Sequence, residues 1–521
     1  MNTISPGELA QLMTSDGLYA VFDVRERGEF NDGQIPNSTS LPRSQIEFRI
    51  AELAPNRKVT IVVYDEGGER AALAAQTLAE FGYGSVSVLE GGLNEWRKQG
   101  RSIASGVNVP SKAFGEKVHH ERRIPEIAPE ELQRLREAAA DLVILDMRTP
   151  EEYGRFCIPG GVNVPGGDVI LWAEELRRKP ETTVVVNCAG RTRSIIGTAA
   201  LRHLGLENVR ALRNGTMGWV LAGFDLESKP GGHSPSASTA SREKATAHAL
   251  RLAEEEGIPE ISASGLKRIS EKRDDGVTYL IDVRSASEYR SGHLPGSLNV
   301  PGGQAVQRGD DFIAVRNAKI IFISSESARA VMAAYWYRQM GFRDVHVLSG
   351  GLVAWRRDGG SVTTGAENRE PLGIEEAKKS VRLLTASDAS MLLKRLSVVT
   401  LDVGSSPEYE TAHLPGAKWI SRGWLELQLP GYVSDRAQAI LISCPDGAHS
   451  IFAARTLAEY GYNNVYVLDG GVRAWIAADF PTASGLTACL TETNDVVLSP
   501  SIKGNKEDMQ RYLDWELKLK A

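Results

Sequence analysis

The stretch "ILDMRTPEEY" (Ile144–Tyr153) occurs in four versions along this chain of 521 residues. The other versions are "VFDVRERGEF", "LIDVRSASEY" and "TLDVGSSPEY", and each sets an Asp after an apolar run, with an aromatic residue seven positions later. The four aspartates are Asp23, Asp146, Asp282 and Asp402. A motif that returns in this way indicates homologous units arranged in tandem.

A second motif follows each of these aspartates at a constant distance. The stretches "GGLNEW", "GTMGW", "GGLVAW" and "GGVRAW" end 73 residues after the Asp in every repeat, at Trp96, Trp219, Trp355 and Trp475. Four equal intervals predict four repeats of about 100 residues each.

Within a repeat, the hydrophobic pattern predicts an α/β fold. The runs "DLVILD" and "TTVVVN" are typical of strands that are buried on both faces, as in a parallel sheet. The stretch "SIIGTAALRHLGL" then has the apolar stripe of a helix that ends at Gly205. This order indicates doubly wound domains, each with a central, mostly parallel sheet flanked by helices.

The boundaries of the repeats define the expected domains. We predict domains at residues 1–108, 125–228, 255–364 and 380–484, a linker at 229–254 and a C-terminal tail at 485–521. The linker is rich in Ser, Gly, Pro and Ala and should be exposed. The first linker is shorter, which favours pairing of repeat one with two and of three with four. The tail segment "KEDMQRYLDWELKLK" predicts a helix that packs back onto the body.

Composition limits the classes of function. With 42% hydrophobic and 24% charged residues, the chain is typical of a soluble globular protein. A net charge of −6 gives no electrostatic basis for binding nucleic acid or an anionic membrane. The N-terminal "MNTISPGELA" lacks a basic and an apolar signal region, and no later run approaches about 20 apolar residues. We therefore expect a cytoplasmic protein.

The chain has four cysteines, and their spacing is informative. Cys157, Cys188, Cys444 and Cys489 form neither a disulfide framework nor a Cys-x-x-Cys zinc motif. We therefore expect no metal and no cofactor. Each cysteine is then either a small buried side chain or a reactive one.

One loop position distinguishes the repeats. The residue 42 positions after each Asp is Asp65, Cys188, Ser324 or Cys444. A loop that leaves the carboxyl end of a parallel strand and enters a helix presents unpaired N–H groups, which stabilise an anion. In "CAGRTRS" that anion can be the thiolate itself. We predict Cys188 as the nucleophile and the following residues as its anion cradle: Ala189, Gly190, Arg191, Thr192, Arg193 and Ser194.

Two further positions near this loop have structural interpretations. We expect Asp146 and Arg148 to form a buried, hydrogen-bonded pair that ties the end of the strand. Cys157 is either a packed small residue or a resolving thiol for Cys188, and packing is favoured.

All four repeats resemble the rhodanese (sulfurtransferase) family. The resemblance rests on "LIDVRSASEYRSGHLPGSLNVP" (Leu280–Pro301), on the Cys-x-x-x-x-Arg loop of repeat two and on the closing GG-x-x-x-W segment. It implies that Cys188 takes the outer sulfur of thiosulfate or a related donor, releases sulfite and passes a persulfide to cyanide or a thiol. Glutathione and thioredoxin-like proteins are among the thiol acceptors considered. The resemblance also suggests that Arg191 engages the donor's oxygens, while Arg193 shapes the loop.

The other repeats depart from the active pattern. Asp65 and Ser324 cannot form a persulfide, so repeats one and three are expected to be inactive. Cys444 begins a loop of the right length and is a candidate second persulfide site. However, Asp446 and His449 replace a glycine and an arginine there, which lowers the positive potential around the thiol.

Other functions stay open from the sequence. The repeats could form a binding scaffold, or sulfur could be relayed from Cys188 to Cys444. A cysteine phosphatase or arsenate reductase is disfavoured, because four residues separate Cys188 from Arg193 where phosphatases of this fold have five.

Overall fold

The computed structural model describes residues 2–229, 236–271, 276–367, 369–395 and 397–519. The chain forms two compact units. The outer unit, Met1–Val107 and Asn368–Val497, holds repeats one and four, and the inner unit, Asn108–Glu367 and Leu498–Ala521, holds repeats two and three and the end of the tail. The predicted pairing of one with two and three with four is therefore wrong. Linker length limits how far two domains can separate, but it does not select the surfaces that pack.

The outer unit contains two sheets with their helices. Repeat one comprises β1 (Asn2–Ile4), α1 (Pro6–Met13), β2 (Tyr19–Asp23), α2 (Arg27–Asp32), β3 (Thr39–Ser40), α3 (Ile46–Leu53), β4 (Thr60–Tyr64), α4 (Arg70–Glu80), β5 (Val86–Leu89) and α5 (Gly92–Lys98). The elements of the inner unit follow in the chain. They begin with α6 (Val109–Glu121), and repeat two comprises β6 (Glu126–Ile127), α7 (Pro129–Glu137), β7 (Leu142–Asp146), α8 (Pro150–Arg155), β8 (Val162–Asn163), α9 (Ala173–Arg177), β9 (Thr183–Asn187), α10 (Thr192–His203), β10 (Val209–Leu212) and α11 (Gly215–Leu221).

The second half of the chain repeats this order. After α12 (Thr239–Glu255), repeat three comprises β11 (Glu260–Ile261), α13 (Ala263–Glu271), β12 (Thr278–Asp282), α14 (Ala286–Ser291), β13 (Leu298–Asn299), α15 (Gly302–Gln307), β14 (Lys319–Ile323), α16 (Ser327–Gln339), β15 (Val345–Leu348) and α17 (Gly351–Arg357). The remaining elements are α18 (Ile374–Ser380), β16 (Arg382–Leu384), α19 (Ala386–Arg395), β17 (Val398–Asp402), α20 (Ser406–Thr411), β18 (Lys418–Trp419), α21 (Leu425–Tyr432), β19 (Ala439–Ser443), α22 (Ala448–Glu459), β20 (Val465–Leu468), α23 (Gly471–Ala477), α24 (Pro500–Lys503) and α25 (Lys506–Glu516).

Each repeat builds one five-stranded sheet whose hydrogen-bonded pairs are parallel, in the order β1-β5-β4-β2-β3 and its equivalents. The fold class predicted from the sequence is confirmed. In every sheet, the repeated Asp lies opposite the residue that precedes the loop position, for example Asp146 opposite Asn187. The register therefore brings the first motif and the loop to the same edge of the sheet.

The repeated tryptophans close the domains. All four are buried, and each indole Nε1 donates a hydrogen bond of 2.8 or 2.9 Å to the carbonyl six residues later. A buried Trp needs such a partner for its N–H. The motif thus fixes the chain as it leaves each domain.

Helices occur where composition indicated linkers. The stretch 229–254 contains most of α12, whose Ala245, Ala249 and Leu252 are buried, and the connection between repeats one and two contains α6. The apolar faces of these helices were too weakly periodic to be recognised. The predicted tail helix is confirmed as α25, which buries Met509 and Leu513. No helix among the described residues is long and apolar enough to cross a membrane.

Ion pairs join repeats one and four within the outer unit. Arg43 donates from Nη1 and Nη2 to the carboxylate of Glu426, at 3.0 and 2.6 Å. Arg422 makes the reciprocal contact with the carboxylate of Glu47. Both pairs are largely shielded from solvent.

Arg43→Met should lower the free energy of unfolding of the outer unit by about 3 to 5 kcal/mol, because it leaves the Glu426 carboxylate buried without its cation. Arg473→Met, at an exposed position of the same unit, is the control and should change that free energy by less than about 0.5 kcal/mol. Denaturant unfolding followed by tryptophan fluorescence measures both. Equal effects of the two substitutions would contradict a stabilising role for the pair.

Candidate functional site

Cys188 lies directly after β9, in the loop that enters α10. Its side chain is buried, and Sγ donates a long hydrogen bond of 3.5 Å to Ser194 Oγ. The closing motif that ends at Trp219 holds the loop, since the carbonyl oxygen of Cys188 accepts a hydrogen bond of 2.8 Å from the N–H of Thr216. Gly215 permits this approach, because a Cβ there would lie 2.3 Å from that carbonyl oxygen.

The backbone donors of the loop have no acceptor among the residues that the structure describes. None of the N–H groups from Ala189 to Ser194 donates a hydrogen bond to a residue in the described part of the chain. Three of them, from Thr192 to Ser194, form the first turn of α10, where such donors are free by geometry. Free donors in the loop that carries Cys188, at the start of a helix, favour a negative charge there.

Repeat one shows what such a loop binds. The carboxylate of Asp65 accepts from the N–H groups of Gly67, Gly68 and Ala71, at 2.7, 3.0 and 3.0 Å. Asp65 thus supplies an anion from the chain itself. The loop of repeat one is an occupied anion cradle.

One backbone N–H group points at the side chain of the loop position in each of the other three repeats. The N–H six residues after the loop position points at the side chain there in repeats one, three and four, the donors being Ala71, Ala330 and Ser450. The equivalent residue in repeat two is Ser194. The direction of these donors in three repeats supports the cradle expected at residues 189–194, which stays a prediction for repeat two.

The guanidinium of Arg191 is held by other residues of the protein. Its guanidinium donates to both carboxylate oxygens of Glu116, at 2.6 and 3.1 Å, and to Glu126 Oε1 at 3.1 Å. A further bond of 3.2 Å reaches Asn214 Oδ1. The expected role of Arg191 in holding the donor's oxygens stays a prediction, and in this structure carboxylates occupy its donors.

Arg193 pairs with Glu152 through two hydrogen bonds of 2.7 and 2.8 Å. Burial alone would raise the pKa of Glu152, but the charge and hydrogen bonds of Arg193 lower it to about 2. The equivalent pairs Arg70–Glu29 and Arg329–Glu288 occur in repeats one and three. Because two repeats without a cysteine keep this pair, it anchors the start of the helix rather than serving the thiol alone.

Asp146 and Arg148 form a fully buried pair. Arg148 Nε and Nη2 donate to Asp146 at 2.9 and 2.7 Å, and Asn187 Nδ2 donates to Asp146 Oδ2 at 3.0 Å. Repeat four lacks the arginine. There, Asp402 accepts from the Gly404 N–H and the Ser443 hydroxyl, each at 2.9 Å, and burial without a cation raises the pKa of its carboxyl to about 7.

This difference predicts a pH-dependent stability. A carboxyl whose pKa is raised in the folded state loses stability as the pH rises from about 4 through 7. Asp402→Asn removes that loss, so at pH 8 the outer unit should gain on the order of 4 kcal/mol, and the gain should shrink toward pH 4. Denaturant unfolding at several pH values measures it.

Asp282→Asn is the matched control, since Asp282 pairs with Arg284. It should destabilise its domain, because the buried guanidinium loses its carboxylate. Stabilisation by both substitutions would contradict the account of Asp402.

Cys444 occupies a different environment. Its Sγ accepts from the N–H groups of Gly447 and Ser450, at 3.2 and 3.4 Å, but burial raises the thiol pKa to about 11. His449 stacks on Phe48 with ring centroids 4.3 Å apart, and burial and the charge of Arg422 lower its pKa to about 3. A neutral imidazole gives the thiol no cation. We therefore expect little sulfur transfer at Cys444, and the second persulfide site stays a prediction.

The side chain of Cys157 is packed inside its domain. It is fully buried, its backbone pairs with Glu227, and Sγ lies 3.9 Å from Glu227 Oε1. Burial and the charge of Glu227 raise the pKa of this thiol. These contacts favour packing over a resolving role.

One cluster has the residue types of a metal site. Ligand atoms of Glu116, His119 and His120 lie within 4.8 Å of one another. Both carboxylate oxygens of Glu116 already accept from Arg191. The cluster is therefore accounted for by the ion pair.

Sequence reasoning missed the residues that cover the loop, because they lie outside the repeats. Thr192 Oγ1 donates to Glu516 Oε1 of α25 at 2.8 Å, and Met217, Met509 and Leu513 form an apolar cluster beside it. Lys112 of α6 contacts the same helix. The periodicity of the tail predicted the helix, but no pattern in the sequence indicated which loop it covers.

This cover predicts how Cys188 is reached. Leu513→Ala should raise the rate at which iodoacetamide alkylates Cys188 by about tenfold or more, because losing a buried leucine costs about 2 to 5 kcal/mol of packing. Leu517→Ala, on the exposed side of the same helix end, should leave the rate unchanged. Peptide mass spectrometry over time measures both. Equal rates in the two variants would show that α25 does not limit access.

Repeat two is thus an α/β domain in which a cysteine begins the loop between a parallel strand and a helix. The Rhodanese-like domain family matches the chain four times, at residues 5–99, 128–222, 262–358 and 385–478. The chain belongs to this family, as a tandem of four rhodanese-like domains.

Several proteins that are similar in sequence or structure are sulfurtransferases by name. A crystal structure of a thiosulfate sulfurtransferase from Pseudomonas aeruginosa is 36% identical, with a TM-score of 0.91, and the match covers 100% of this chain and 97% of that one. A thiosulfate sulfurtransferase of Azotobacter vinelandii is 26% identical over 246 residues, 40% of this chain and 89% of its own. A sulfurtransferase of Allochromatium vinosum is 31% identical over 105 residues, 20% of this chain and 96% of its own.

Proposed function

We propose that this protein is a rhodanese-type sulfurtransferase that moves sulfane sulfur from thiosulfate, or a related donor, to cyanide or a thiol through a persulfide on Cys188. Family membership and the sulfurtransferase names of its relatives support the class of enzyme. The observation that carries the assignment to repeat two is that Cys188 begins a loop whose six N–H groups have no acceptor among the described residues. In repeat one, N–H groups of the equivalent loop bind the Asp65 carboxylate.

In the first step, the Cys188 thiolate attacks the outer sulfur of thiosulfate. A bond forms between Sγ and that sulfur, and the S–S bond of the donor breaks, so sulfite leaves with the electron pair. The negative charge then sits on the terminal sulfur of the persulfide. The free N–H groups of Ala189 to Ser194 stabilise that charge.

In the second step, a nucleophile takes the terminal sulfur. Cyanide attacks it and leaves as thiocyanate, and the electron pair of the broken S–S bond returns to Cys188 as the thiolate. A thiolate acceptor reacts in the same way and becomes a persulfide. The scheme needs no cofactor, and glutathione or a thioredoxin-like protein fits the acceptor role by its thiol chemistry.

The remaining repeats would support this site. Asp65 and Ser324 offer no sulfur at the loop position, and Cys444 has a raised pKa. Repeat three packs on repeat two, since Gly166 and Gly303 approach so closely that a Cβ at either would lie 3.1 Å from the other's Cα. We therefore assign repeats one, three and four a structural role.

The test is intact-protein and peptide mass spectrometry after a brief thiosulfate pulse. The wild-type protein should gain one sulfur atom on Cys188, and Cys188→Ser should gain none and should lose thiocyanate formation while keeping its fold. Cys444→Ser is the matched control and should keep both the mass gain and the activity. A sulfur found on Cys444 when Cys188 is absent would contradict the proposal.

A further inference from the structure

The Cys188 site needs a cation that no arginine of its loop supplies freely. Thiosulfate and similar donors carry their charge on an oxygen-bearing group that must be held while the outer sulfur is attacked. Arg191 is bound to Glu116 and Glu126, and Arg193 is bound to Glu152. Carboxylates thus occupy every guanidinium nitrogen of Arg191 that faces them and both Nη atoms of Arg193, and only Nε of Arg193 is without a partner among the described residues. Binding a donor at Arg191 would require breaking a buried ion pair, which is costly.

Lys112 is a buried cation of a different kind. It lies on α6, outside the repeats, and its side chain is 3% exposed. Its ammonium lies 4.2 Å from the ring centroid of Tyr512 and 5.3 Å from that of Trp515. Among the described residues, no carboxylate lies within ion-pair distance of it. Aromatic faces attract a cation but leave its charge uncompensated.

Lys112 lies against the Cys188 loop through two sets of contacts. One turn further along α6, a Cβ at Gly115 would lie 3.3 Å from Thr192 Cα. On the other side, a Cβ at Gly190 would lie 3.7 Å from Tyr512 Cε1, in the ring that Lys112 faces. The ammonium, the tyrosine ring and the loop therefore border one another.

An unpaired group of opposite charge borders the same region. Glu516 is 1% exposed, its Oε1 accepts from Thr192, and its Oε2 has no hydrogen-bond partner in the part of the chain that the structure describes. A Cβ at Gly190 would lie 3.3 Å from that Oε2. Burial lowers the pKa of Lys112, while the negative charges of Glu516 and Cys188 act in the opposite direction. The electrostatics of the thiol and of this lysine are therefore linked.

We propose that Lys112 is the donor-binding residue of the Cys188 site, holding the anionic oxygens of a small sulfur donor while the thiolate attacks its outer sulfur. The assignment rests on the proposed function, since it names the group that receives that donor. It transfers to Lys112 the role that the sequence suggested for Arg191. It also sets the specificity of the site for small anions over neutral donors.

The test compares two alkylating reagents of similar size on the full chain. Iodoacetate is an anion and iodoacetamide is neutral, so the ratio of their rates at Cys188 reports the charge beside the thiol. Lys112→Met should lower this ratio by roughly tenfold, the effect of one unit charge several ångströms away in a shielded site. Lys112→Gln tests the same loss with a polar side chain, should the Met variant not fold. Lys112→Arg should preserve the ratio.

Lys117→Met is the matched control, because Lys117 is an exposed lysine on the same helix. It should leave the ratio as in the wild-type protein. Glu516→Gln should raise the ratio, since it removes a negative charge beside the loop. A ratio that stays the same in Lys112→Met, or that falls equally in Lys117→Met, would overturn the assignment.

Sulfur-transfer kinetics separate this inference from the proposed function. Lys112→Met should raise KM for thiosulfate by roughly tenfold with a smaller change in kcat, because ground-state binding of the anion is lost. If the wild-type protein takes no sulfur from thiosulfate while the alkylation ratio still depends on Lys112, the proposed function is wrong and the anion-binding role of Lys112 stands. If sulfur transfer occurs but neither the alkylation ratio nor KM for thiosulfate changes in Lys112→Met, only the Lys112 assignment is wrong.

Discussion

The unpaired N–H groups at the junction between strand and helix are the constraint on which each domain depends. Parallel strands end at one edge of the sheet, and every helix that begins there presents donors that need an acceptor. Repeat one supplies a carboxylate, repeat three a hydroxyl and repeat four a neutral thiol. In repeat two, no described residue accepts from the N–H groups that follow Cys188, and we infer that this difference makes a reactive site from a common scaffold.

Around that site, most of the positive charge is paired with carboxylates. Arg148, Arg191 and Arg193 each bind a carboxylate, which fixes the loop and offsets much of their charge. Positive charge near a cysteine in sequence therefore does not by itself give positive charge at the thiol. We assign the cation that receives the donor to Lys112, which lies on α6, a helix that belongs to no repeat.

The fold within each repeat could be predicted from the sequence, but the contacts between repeats and with the tail could not. The strand patterns, the 73-residue interval and the loop position all follow from local periodicity, so four parallel sheets and the place of Cys188 could be predicted. The pairing of repeats depends on side chains such as Arg43 and Glu426, which are 383 residues apart. The covering helix likewise meets Thr192 across 324 residues. Contacts of that range have no periodic signature in one sequence.

The nested order of the two units has a consequence for how the chain acquires its structure. Repeats two and three are contiguous, so they can pack together during synthesis, whereas repeat one finds its partner only after repeat four has emerged. Helix α25 follows all four repeats in the chain. A nascent chain in which repeats two and three have folded therefore exposes Cys188 until α25 has been synthesised and covers it.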